Sequence, residues 1–178
     1  MILRLLALLP VVAALAIAAT ATARPEAAKS ACSAGQVLKT KSYAFALTIG
    51  PVEQMYTKAQ VASQHPKTGE VMLSGKMTGA GGMSGMDMGS STERHLEVHI
   101  CTLAGKVVTG AHPTISVDDM TTSTMTTKVP VAVMEGVTEG AADLHYGNNV
   151  NLMSGHHIKV TVTLNGQKAV FTAVVSKP

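Results

Sequence analysis

From position 43 onward, apolar residues come in short bursts or alternate with polar ones, and turn residues cut them into pieces. That is the period of the pleated strand, in which successive side chains take opposite faces. Residues 43–49 form an apolar run closed by Gly50-Pro51. Residues 55–62 read as a strand, His65-Pro66-Lys67-Thr68-Gly69 as a turn, and 70–74 as the strand that follows. Residues 93–101 alternate, Ala104-Gly105 turns the chain into 106–109, and His112-Pro113 restarts it toward 114–117. Residues 121–133 are rich in Thr, Val and Met, hence stiff and extended, with Pro130 marking an edge or a break. The last hairpin is the clearest: 158–164 alternates, Asn165-Gly166 suits a type I′ turn, and 167–175 returns. Many short strands and no convincing amphipathic helix predict an all-β fold, an antiparallel β-sandwich.

The first 42 residues do not share this pattern. Arg4, the apolar stretch 5–18 broken only by Pro10, and Ala21-Thr22-Ala23 read as a signal peptide spanning 1–23. Residues 24–42 are polar, basic and Ala-rich, and read as a flexible leader ahead of a single domain over 43–178. The expected product is an exported soluble protein, periplasmic, cell-envelope or extracellular. No later stretch approaches the roughly 20 apolar residues of a membrane span.

Composition narrows the function classes. The formal charge is only +3, and with no Trp, 2 Phe and 3 Tyr there is little to stack on bases, so no nucleic-acid partner is expected. Cys32 and Cys101 are the only cysteines. In an exported chain such a pair reads first as a disulfide, with a pair of thiolate ligands as the competing reading.

Candidate chemistry centres on His95-Leu96-Glu97-Val98-His99-Ile100. In a strand, Leu96, Val98 and Ile100 face one side, while His95, Glu97 and His99 share the other. Two imidazoles and a carboxylate on one face suit a transition metal, although a solvent-facing strand can carry the same residues. Just upstream, Met77, Met83, Met86 and Met88 lie in the glycine-rich segment 76–91. Thioethers are soft donors that favour Cu(I), and the spacing of Met83, Met86 and Met88 resembles the methionine motifs of copper-trafficking proteins. The competing reading is a loop whose methionines are incidental or cover an apolar patch. His145 precedes Gly147-Asn148-Asn149, which marks a turn. His156 and His157 are adjacent and point to opposite faces, so at most one joins any site; His65 and His112 read as turn residues. No nucleophile elbow, phosphate loop, dinucleotide fingerprint or His-Glu-x-x-His helix is present, and no enzyme activity is expected.

Taken together, the His95 strand, Pro130-Val131-Ala132-Val133-Met134, His145-Tyr146-Gly147-Asn148-Asn149-Val150 and the closing strands resemble the periplasmic Fe(II) transport protein family. The resemblance covers roughly residues 70–175. It implies an exported immunoglobulin-like sandwich, usually a homodimer with its metal site near the interface, that binds copper and iron and is encoded with an iron permease. It also implies roles: His95, Met134 and His145 as metal ligands, and Glu97 as the acidic neighbour associated with iron. Two departures are visible. The family's aspartate-glycine-proline before the turn histidine is replaced by Ala142-Asp143-Leu144, and the hairpin tip Asn165-Gly166 lacks the histidine that family members donate across the dimer. His99 stands where the family has an acidic residue, which shifts the donors toward nitrogen and favours copper over Fe(II). The resulting expectation is an exported protein that holds copper, with iron as second candidate, for uptake, storage or handover to a permease or receiving protein. A Cu(I) or Fe(II) oxidase and a metal-free adhesion sandwich are the alternatives.

Overall fold

The computed structural model describes residues 31–78, 92–122 and 126–177. The proposed signal peptide, the first part of the leader, and Met83, Met86 and Met88 lie outside the described residues.

Eleven strands are described: β1 (Gln36–Lys39), β2 (Tyr43–Pro51), β3 (Met55–Thr57), β4 (Glu70–Ser74), β5 (Glu93–Thr102), β6 (Thr114–Asp119), β7 (Thr127–Val129), β8 (Ala132–Gly136), β9 (Gly140–Asn151), β10 (His157–Leu164) and β11 (Gln167–Val174). They form two sheets, one ordered β1-β2-β5-β9-β8-β4-β3 and the other β11-β10-β6-β7. Every pairing is antiparallel except β3 with β4. The fold is therefore the expected all-β sandwich.

The core lies between the sheets. Phe45, Leu47, Leu96, Val98, Ile100 and Tyr146 from the larger sheet meet Ile115, Val117, Ile158, Val160, Val162 and Phe171 from the smaller one, all buried. Each comes from one parity of its strand, as the pleat requires. The β10–β11 hairpin turns through Asn165 at φ 48° and Gly166 at φ 74°, the paired left-handed residues of a type I′ turn.

Three expectations need correction. The leader is ordered within its described part: Ala31–Ser33 forms a 3-10 turn and β1 pairs with β2 from Gln36↔Leu47 to Lys39↔Ala44. Its side chains are all exposed, so the hydrophobic pattern carries no trace of a strand that is held by backbone bonds. Residues 55–62 are not one strand, because β3 stops at Thr57 and α1 (Lys58–Gln64) follows. Thr57 caps that helix through a reciprocal pair with Gln60, a local signal stronger than the weak alternation around it. The expected turn at 147–149 is the interior of β9.

Cys32 and Cys101 form a disulfide across 69 residues, with their Cα atoms 5.9 Å apart. It ties the N-terminal turn to the end of β5. Among the described residues no helix is long and apolar enough to cross a membrane.

Candidate metal centre

The centre lies on the face of the larger sheet that turns away from the sandwich core. The registers Glu97↔Gly147, His95↔Asn149 and Met134↔His145 align one parity of β5, β9 and β8. Cross-strand partners share a face. Extending across β4, Met72 stands opposite Met134, and Glu70 opposite Gly136. His95, Glu97, His99, Asn149, His145, Met134, Met72 and Glu70 therefore belong to one surface. That surface is dry where the imidazoles sit: His95 and His145 are 0 % exposed and His99 is 2 % exposed. Gly147 fits because the Leu96 carbonyl presses against the position a Cβ would take.

Each imidazole is pinned by one nitrogen. His95 Nδ1 donates to Asn149 Oδ1 at 2.9 Å, His145 Nδ1 to the Asp143 carbonyl at 2.8 Å, and His99 Nδ1 to the Leu144 carbonyl at 3.2 Å. Carbonyl oxygens only accept, so His145 and His99 carry a proton on Nδ1. Asn149 is oriented by its own Nδ2, which donates to the Glu53 carbonyl at 2.9 Å, leaving Oδ1 toward His95. The three Nε2 atoms point inward. His95 Nε2 and His145 Nε2 are 3.4 Å apart, with their rings edge to face. His99 stacks edge-on against His145 with ring centres 5.4 Å apart.

Carboxylates surround these nitrogens. Glu70 Oε2 lies 3.6 Å from His145 Nε2. Glu97 places Oε1 4.0 Å from His95 Nε2 and Oε2 3.6 Å from His99 Nε2. Asp143 Oδ1 is 3.8 Å from His99 Nε2. Two groups have donor atoms mutually close enough for one ion: Glu70, His95 and His145, and His99, Asp143 and His145.

Burial sets the charge states. It pushes His145 down to about 4 against the pull of Glu97 and the Asp143 carbonyl. It also lowers His95, against its bond to Asn149 and the nearby Glu97 and Asp143. For His99 burial acts the same way, but its contacts with Glu97, the Leu144 carbonyl and Asp143 outweigh it and raise the imidazole. Burial, then Asp143, Glu97, Glu53 and Glu139, push Glu70 up to about 8. Glu97 runs opposite to Glu70: burial opposes its charge, but His99, His145 and His95 together hold it below the usual range.

His95 and His145 are neutral at pH 7 with their protons on Nδ1, so two bare lone pairs face each other at 3.4 Å in a dry interior. Glu70 Oε2 is buried without a hydrogen-bond partner. Such groups are costly unless something bridges them. A cation does so, since metal–imidazole bonds of about 2.0–2.1 Å let both nitrogens reach one ion.

His95, Glu97, His99 and His145 thus converge. Met134 stands opposite His145 and is fully buried, packed with Met55 and Ala132, with Met72 and Met77 against them. His156 is elsewhere, bonded through Nδ1 to Asp119 Oδ2 at 2.6 Å, and His157 is exposed. Glu70 and Asp143 were not among the sequence candidates. Asp143 carried a usable signal: it sits two residues before His145 and shares its face once that segment is extended. Glu70 carried none, because it reaches His145 only through the register of β4, β8 and β9. Comparison of the chain with protein-family models, curated proteins and solved structures returned no match.

Proposed function

We propose that this is an exported protein that binds a transition-metal ion, copper first and Fe(II) second, and holds it for uptake, storage or handover. The observation that carries the reading is the pair of neutral imidazoles meeting at 3.4 Å with both Nδ1 atoms already bonded elsewhere. Oriented imidazoles of this kind are the usual environment of metal-ligating histidines, which hold their outer nitrogen on a carbonyl or carboxylate. His95 and His145 act as the nitrogen ligands, with Glu70 and Glu97 as oxygen donors. Met134 is a soft donor on the same face.

The donor set discriminates among metals. Imidazole suits copper, zinc and iron, carboxylate admits harder ions, and the neighbouring methionines favour Cu(I). The Cys32–Cys101 disulfide suits an oxidising compartment, in keeping with export. The receiving partner in this reading is a membrane permease or a second metal carrier, as in the family the sequence resembles. The ion is cargo and no bond chemistry is assigned.

The test is metal content after equilibrium dialysis against Cu(II), Cu(I) and Fe(II), for the wild type and a His95→Ala/His145→Ala double variant. The wild type should retain one or more ions per chain, and the variant should bind at least 100-fold more weakly. Equal retention by both would rule out this site.

A further inference from the structure

We propose that the centre holds two divalent transition-metal ions at once, bridged by the Glu97 carboxylate. This rests on the metal-binding reading above and specifies the same site further. Glu97 divides its two oxygens: Oε1 faces His95 Nε2 at 4.0 Å and Oε2 faces His99 Nε2 at 3.6 Å. A carboxylate split between two imidazoles that are themselves both oriented is the arrangement of a bridging ligand. The inner position is bounded by the close donor group of Glu70, His95 and His145, with Glu97 Oε1 reaching it only at His95 Nε2. The outer position is bounded by the close donor group of His99, Asp143 and His145, with Glu97 Oε2 reaching it at His99 Nε2.

His145 appears in both close-packed donor groups, but its Nδ1 is committed to the Asp143 carbonyl and its Nε2 turns toward Glu70 and His95. It therefore belongs to the inner ion, and the outer ion takes its nitrogen from His99. The Nε2 of His99, a residue 2 % exposed, has two carboxylates nearby at 3.6 and 3.8 Å. The Oε2 of Glu70, buried without a hydrogen-bond partner, marks the inner position.

The two positions differ in access. The inner donors Glu70 and His95 have side chains 8 % and 0 % exposed, whereas Glu97 and Asp143 are 20 % and 29 % exposed. The outer ion faces solvent and is the one exchanged. The inner ion is reached through it, with Glu97 as the pivot.

The experiment uses the full metal-free chain loaded with Cu(II), bound copper measured by elemental analysis, and electron paramagnetic resonance at saturation. Two Cu(II) per chain are expected, with a spectrum broadened by coupling between neighbouring ions and a half-field transition. Asp143→Asn and His99→Gln should each reduce the count from two to one and restore an isolated Cu(II) spectrum. Asp143 is partly exposed, so its substitution leaves the packing intact if His99→Gln does not. One ion per chain in the wild type, unchanged by either substitution, would overturn the bridged pair while leaving the metal-binding reading in place. A second ion without magnetic coupling would also overturn it, since that ion would sit elsewhere in the chain. No bound copper would end both readings.

Discussion

The two faces of β5 are both largely buried and chemically opposite. Leu96, Val98 and Ile100 are 0 % exposed on one face, and His95 and His99 are 0 % and 2 % exposed on the other. On the first face burial alone is favourable, because apolar surface leaves water. On the second, every buried nitrogen and oxygen must find a partner, and the protein supplies one for each Nδ1 and none for Oε2 of Glu70. Stability is built on the inner face, and the outer one carries the unpartnered polar atom and facing imidazoles on which the proposed cation site rests.

The largest expected effect separates the faces by pH. Glu70, raised in the fold to about 8 from 4.5, binds its proton more tightly in the native than in the unfolded chain. Metal-free protein should therefore lose stability as pH rises from about 5 to 8, by at most about 5 kcal/mol at about 1.4 kcal/mol per unit. Glu70→Gln should abolish that loss, as read by denaturant unfolding of both proteins across the range. His145, lowered to about 4, has the opposite sign: it weakens the fold as pH falls from about 6.5 to 4, so it offsets the Glu70 effect below about 6.5 and the net loss shows mainly between about 6.5 and 8.

Truncation on the inner face should be almost as costly but blind to metal. Phe45→Ala should destabilise by about 3–5 kcal/mol with or without copper. His145→Leu, which replaces a buried polar group by an apolar one of similar size, should change metal-free stability by less than about 1.5 kcal/mol and eliminate stabilisation by copper. Thermal melts of both variants with and without Cu(II) would make the contrast; a copper-dependent shift surviving in His145→Leu would erase it.

A subtler test leaves the ligands in place. Asn149→Ala removes the acceptor that fixes the His95 tautomer, and copper affinity should fall roughly 10–100-fold. Smallest is Thr57→Ala, which removes the α1 cap and should cost about 1 kcal/mol with no change in copper affinity.

Legibility in the sequence followed the same division. Strands whose one face is apolar, such as β5 and the β10–β11 hairpin, announce themselves by alternation, and the turn between β10 and β11 by Asn165-Gly166. β1 does not, because its four side chains are all exposed and only backbone bonds define it. β9 was hidden by Gly147-Asn148-Asn149, which has turn composition yet serves an extended strand. Gly147 yields to the Leu96 carbonyl, Asn148 donates to the Lys76 and Pro130 carbonyls at 2.8 and 2.7 Å, and Asn149 orients His95. The histidines of the centre were visible as alternate residues of one strand. Glu70 was invisible because register across three strands brings it to His145, and no local pattern encodes that.

The most direct measurement is anomalous diffraction from a crystal of the copper-loaded chain. A copper peak is expected within bonding distance of Nε2 of both His95 and His145, beside a Glu70 or Glu97 oxygen. Copper bound only by the 83–88 methionines or by His156 and His157, with those two imidazoles still facing each other bare, would contradict it.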